Sequence, residues 1–121
     1  MASKLHRRRP AQPHFDKKGL MAICFAFAHK FGRLPSGDDP VFFDPEADKP
    51  HCLPSSGMQR RLLEAMLENR TPPQMVYAYC RTGFAVSDRD RSALPLDRLS
   101  QWDAAIDEYF AFADKARKVR H

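Results

Sequence analysis

A chain of 121 residues with 43% hydrophobic and 29% charged residues is long enough to bury a core without a metal or disulfide staple, and its composition excludes a disordered polymer. Three cysteines, Cys24, Cys52 and Cys80, form no CxxC pair, which reads as a reducing, cytoplasmic setting with buried or incidental thiols. The net charge of +5 is unevenly spread. Residues 1–18 carry six Lys/Arg against one acid and residues 114–121 carry four against one, while the stretch between them is slightly acidic. Basic ends on a near-neutral body point to an anionic partner, nucleic acid before membrane.

Residues 1–14, with an arginine triplet at Arg7, Arg8 and Arg9 and no apolar periodicity, read as a basic flexible arm. Residues 15–113 read as one helical domain and 114–121 as a basic tail continuing the last helix. A leader-peptide reading is set aside, because Asp16, Lys17 and Lys18 break the approach to the apolar run and no polar stretch precedes Ala26-Phe27-Ala28. That run is too short to span a membrane.

The first helix is expected at about 16–31, with Asp16 as N-cap, a Phe15/Leu20 staple and Gly32 as a left-handed stop. At 100° per residue, Leu20, Ile23, Cys24 and Phe31 fall within about 60° of Phe27. Met21 and Phe25 lie opposite, so both sides need cover, and the other helices are expected to pack around this one.

A connection over 33–55 follows, in which Pro35, Pro40, Pro45, Pro50 and Pro54 exclude a long helix. Asp44, Glu46 and Asp48 match the start of a calcium loop, but Lys49 and Ser55 stand where glycine and glutamate are needed, so no metal is assigned. Val41, Phe42 and Phe43 are expected to pin the loop to the bundle. Its acids make it a candidate surface for a protein partner, with Asp38, Asp39, Phe42, Phe43 and Asp44 as the contact residues.

A second helix over 57–69 is expected to open on a Ser56/Gln59 capping box and to bury Met58, Leu62, Ala65 and Met66, with Leu63 and Leu67 off the stripe. A third, from Pro73 to Thr82 with Gly83 as its stop, turns Met75, Val76, Tyr79 and Cys80 inward. Gln74, Tyr77 and Arg81 would then face outward as a second-choice, helix-turn-helix-like reading surface. The last helix starts near Leu96 on a stripe of Leu99, Trp102, Ile106, Tyr109, Phe110 and Ala113. Asp103 and Asp107 repel at i,i+4 unless an arginine from the turn ending at Arg91 relieves them. The runs YAYCRTGFAVS and LSQWDAAIDEYF resemble segments of small bacterial proteins of unassigned function, a likeness that implies no activity.

No HExxH, GxSxG, P-loop or GxGxxG occurs, and no Cys/His spacing makes a zinc site, so neither catalysis nor a cofactor is assigned. The chain reads as all-α: four helices around a central apolar helix, with a Pro-rich acidic loop and basic termini. Its expected role is that of a non-enzymatic cytoplasmic protein binding nucleic acid or a nucleoprotein. Arg7, Arg8, Arg9, Lys17, Lys18, Lys115, Arg117, Lys118 and Arg120 would make the phosphate contacts. The alternative is a protein-interaction module, an inhibitor or accessory factor of a phage or plasmid, acting through the acidic loop and the last helix.

Overall fold

The computed structural model describes residues 15–87 and 89–119, with side chains through Ala116. Four helices follow in order, α1 (Lys17–Phe31), α2 (Met58–Glu68), α3 (Pro73–Thr82) and α4 (Leu96–Val119). Among the described residues the only β pairing is an isolated antiparallel bridge between Phe43 and Cys52.

α1 begins and ends where its residues dictate. The Asp16 side chain accepts from the Lys18 N–H, and Gly32, at φ 76°, returns its own N–H to the Ala28 carbonyl. Both sides of the helix receive cover, by different material, but Met21, expected to be covered with Phe25, stays 48% exposed. On one side Phe27 and Phe31 meet Phe43 of the loop, with ring centroids 5.4 and 5.7 Å apart. On the other, Phe25 stacks on Phe112 at 5.5 Å and an interplanar angle of 11°. A loop, not a fourth helix, therefore closes half of the α1 surface.

The central position belongs to α3 rather than α1. Packing is most extensive where α3 meets α1 and α4, while α1 touches α4 only thinly. Every residue from Val76 to Cys80 is buried. Tyr77 has no exposed surface at all, which overturns its expected outward orientation. Burial among apolar neighbours also pushes the Cys80 thiol up to about 12.

α2 is rotated from the expected register. Leu63, Met66 and Leu67 are buried, whereas Met58 is 78% exposed and Leu62 and Ala65 face solvent. Gly19 of α1 sets this rotation. A Cβ there would run into the Leu67 side chain, so α2 sits as close to α1 as a glycine allows, with Asp16 N–H donating to the Leu67 carbonyl. The expected Ser56/Gln59 capping box does not form: Gly57 caps α2, and Pro72 caps α3, each without a side-chain hydrogen bond.

α2 ends with Arg70 N–H on the Leu67 carbonyl and Thr71 N–H on the Met66 carbonyl, the paired bonds of a Schellman turn. This places Arg70 at φ 55°, the one described non-glycine residue in the left-handed region. Its Cβ is unfavourable there, so Arg70→Gly should raise stability by about 0.5–1 kcal/mol, read as a higher thermal midpoint. An unchanged or lower midpoint would show that Arg70 carries contacts that outweigh its backbone conformation.

The 33–55 loop is docked. Phe42, Phe43 and Leu53 are buried, and Val41, expected to join them, is exposed. Arg60 of α2 holds the loop from outside, donating to the Leu53 carbonyl at 3.1 Å and lying 4.8 Å over the Phe42 ring. Within the loop, Arg33 forks onto Asp39 at 2.6 and 3.2 Å, and Ser36 N–H donates to the same carboxylate at 2.8 Å. Those bonds hold the Asp39 carboxyl well below the usual carboxylate range.

On α4 the buried face runs through Trp102 and Ala105, with Ile106, Tyr109, Phe112 and Ala113 packed against the core. Phe110, expected in this stripe, is 51% exposed, and Phe112 takes its place. The Asp103/Asp107 repulsion is relieved as anticipated: Arg91 Nη2 donates to both Asp103 oxygens, at 3.2 and 3.0 Å.

Candidate nucleic-acid interface

α1 and α4 run antiparallel, and three contacts mark the register. Late in α1, His29 Nε2 lies 3.5 Å from Glu108 Oε2. In mid-helix, Phe25 packs on Tyr109 and Phe112. At the start of α1, Lys18 lines the same groove as Ala113 and Ala116 near the end of α4. The first turn of α1 and the last turns of α4 therefore meet at the same end of the bundle.

Lys17, Lys18 and Lys115 are exposed. The first turn of α1 carries no acid beyond the Asp16 cap, whose carboxylate accepts from the Lys18 N–H and partly offsets the positive end of the helix. The fold thus gathers Lys17, Lys18 and Lys115, which are separated in sequence by most of the chain. Arg7, Arg8, Arg9 and Arg120 lie outside the described residues, as do the side chains of Arg117 and Lys118.

The second-choice surface does not exist as a solvent-facing strip. Gln74 is half-buried and Tyr77 is sealed in the core. Arg81 Nε donates to Glu108 Oε1 at 2.7 Å, and its Nη2 lies 3.4 Å from His29 Nε2. The Tyr77 hydroxyl donates to the same Glu108 oxygen. Burial and the Glu108 carboxylate together push the Tyr77 phenol above its usual range. For Glu108, burial raises the carboxyl, but the hydrogen bonds from Arg81 and Tyr77 outweigh it and leave the pKa lowered. This carboxylate tethers α4 to the central helix and engages Arg81 through its Nε.

The expected protein-contact loop is similarly reduced. Phe42 and Phe43 are core residues, and Asp39 is committed to Arg33 and Ser36. Asp44 accepts from the Glu46 N–H at 2.9 Å, which leaves Asp38 as the exposed acid of that set.

Sequence reasoning missed Glu108 and His29. A signal for Glu108 was present: it falls between Ala105 and Phe112 at helical spacing, a carboxylate on the inward face that needs a donor. It also missed a groove between α1 and α4, floored by Pro73 and Gln74. Its walls are Met21, Phe25 and Leu34 on one side and Tyr109, Phe110 and Ala113 on the other.

Among the described residues, no group of three or more His, Cys, Asp or Glu side chains is placed to hold a metal ion, and no helix is long and apolar enough to cross a membrane. No family model matches the chain, and no curated protein or solved structure matches it either, so the convergence of its two basic helix ends stands as the feature from which a function is read.

Proposed function

We propose that this protein binds nucleic acid, or a nucleoprotein, through its two basic ends and performs no chemistry on it. The observation that carries the reading is the antiparallel pairing of α1 and α4, which brings Lys17 and Lys18 to the same end as Lys115. The arm leads directly into the first of these groups and the tail follows directly from the second. Two clusters of cations that enter one face can share one run of phosphates. Clusters at opposite ends of the bundle could not.

Such binding is driven by counterion release, so log K should fall linearly with log salt, with a slope of about −0.9 for each duplex phosphate neutralised. Deleting residues 2–9 removes Lys4, Arg7, Arg8 and Arg9. Affinity and slope should then fall together, with little change in preference among mixed-sequence oligomers. Fluorescence anisotropy at several salt concentrations reads both quantities. Absence of binding at low salt, or binding that ignores salt and survives the deletion, would overturn the proposal.

A further inference from the structure

Beside the basic end lies an apolar surface that the nucleic-acid reading does not use. Met21 is 48% exposed, Leu34 62% and Phe110 51%, and all three line the groove between α1 and α4. Apolar side chains that cluster at the rim of a groove, rather than being scattered singly, mark an interaction site. Among the described residues the groove's one charged wall residue is Lys18, and the nearby acids, Asp16 beside Tyr109 and Asp114 next to Lys115, flank the groove without lining it. Lys17 and Lys115 are exposed on the helix turns adjoining it.

Three occupants are conceivable, and charge separates them. Residues 1–14 are basic and hold few apolar side chains, so this arm lacks both the anchors and the sign that the groove requires. A second copy would bring two positively charged ends together, and like charges at a shared face are strongly disfavoured. A segment carrying apolar anchors and carboxylates satisfies both halves of the surface. The groove follows α1 from Lys18 to Phe25 and α4 from Ala116 back to Tyr109, about two turns, or roughly 10 Å at 1.5 Å per residue. That is the length presented by a short helix with anchors at i, i+3, i+4 and i+7.

We infer that the groove between α1 and α4 is a docking site for an acidic amphipathic helix of a partner protein. Its apolar face would seat on Met21, Phe25 and Phe110, and its carboxylates would reach Lys17, Lys18 and Lys115. The site lies against the basic end, so a seated acidic helix would occupy cations that otherwise contact phosphate. Partner binding and nucleic-acid binding should therefore compete. The docking itself does not depend on the nucleic-acid reading.

The probe is a fluorescein-labelled helical peptide of about four turns, with leucine at the i, i+3, i+4, i+7 positions and glutamate elsewhere, titrated with the full chain. Two control peptides are used, one with the same residues in scrambled order and one with glutamine for every glutamate. Phe110→Ser and Met21→Ser remove exposed side chains, so both variants should keep the wild-type circular dichroism spectrum. Each should weaken the patterned peptide about tenfold, the scale of one lost apolar anchor. Both control peptides should bind about tenfold more weakly than the patterned one, and the salt slope on an oligonucleotide should be unchanged in both variants.

Equal affinity for the scrambled peptide would reduce the interaction to nonspecific charge and overturn the proposal. Binding of the patterned peptide that ignores both serine variants would do the same. So would concentration-dependent self-association that Phe110→Ser abolishes, which would assign the groove to a second copy. A patterned peptide that binds only after residues 2–14 are deleted would assign it to the arm.

Discussion

Replacing Phe27 with Asp should leave the chain unfolded at 25 °C. Phe27 is 1% exposed and stands where α1, the loop and the core meet, with Phe31 and Phe43 rings 4.6 and 5.4 Å away. Truncating a buried phenylalanine costs about 3–5 kcal/mol, and an unpaired carboxylate in the same space adds several more. The total reaches the whole stability of a small domain, about 5–15 kcal/mol. Arg33 lies 5.4 Å from the ring centroid but is already bound to Asp39, so it is not a ready partner for the new charge. A far-UV spectrum and melting curve decide the matter. A variant that melts within a few degrees of wild type would mean that the α1–loop contact is not part of the cooperative core.

Glu108→Ala should cost about 2 kcal/mol, chiefly because it leaves the Tyr77 hydroxyl without an acceptor in a residue that has no exposed surface. The Arg81–Glu108 ion pair, with both side chains about one-third exposed, contributes less than 1 kcal/mol after solvent screening. The double variant Glu108→Ala with Tyr77→Phe should therefore recover most of the loss, because the unpaired hydroxyl is removed with its acceptor. No recovery in a denaturant titration would place the energy in Arg81 or His29 instead.

The same carboxylate makes stability depend on pH. Its folded pKa lies below the unfolded value, near 4.3, so its contribution is fully present above that value and is lost as pH falls through the folded pKa. Asp39, held lower still by Arg33 and Ser36, acts in the same direction. Acid unfolding should therefore set in below about pH 4, and Glu108→Ala should flatten the stability profile between neutral pH and that point.

What the sequence disclosed and what it hid divide along the reach of the interactions. The cap at Asp16, the stop at Gly32 and the stop at Gly83 are local, written in residues two to four positions apart, and the structure has all three. The docking of Phe42 and Phe43 was legible because two adjacent phenylalanines in a Pro-rich loop need cover. The face of α2 was not. Leu62 and Leu63, like Met66 and Leu67, are sequence neighbours about 100° apart, so periodicity allows two stripes. The close approach at Gly19, almost fifty positions away, selects one.

Tyr77 was misread for a related reason. A phenol looks amphipathic in sequence, and only Glu108, 31 residues later, allows it to be fully buried. Phe110 and Phe112 posed the same ambiguity, which the stacking of Phe25 on Phe112 resolves. Of the interface, the sequence disclosed the charges but not the groove beside them, because a groove belongs to two helices at once.

The central claim is that both basic ends serve one ligand, and its most direct measurement is the salt slope on a single short duplex after each end is removed. The chain without residues 2–9 loses the arm cations, and the chain ending at Ala116 loses Arg117, Lys118 and Arg120. Each truncation should lower the slope on the same duplex by about 0.9 for every phosphate contact it removes, and the two losses should add when both ends are cut. A tail truncation that leaves the slope and affinity unchanged, while the arm deletion abolishes them, would contradict a shared ligand and leave the arm as an isolated basic segment.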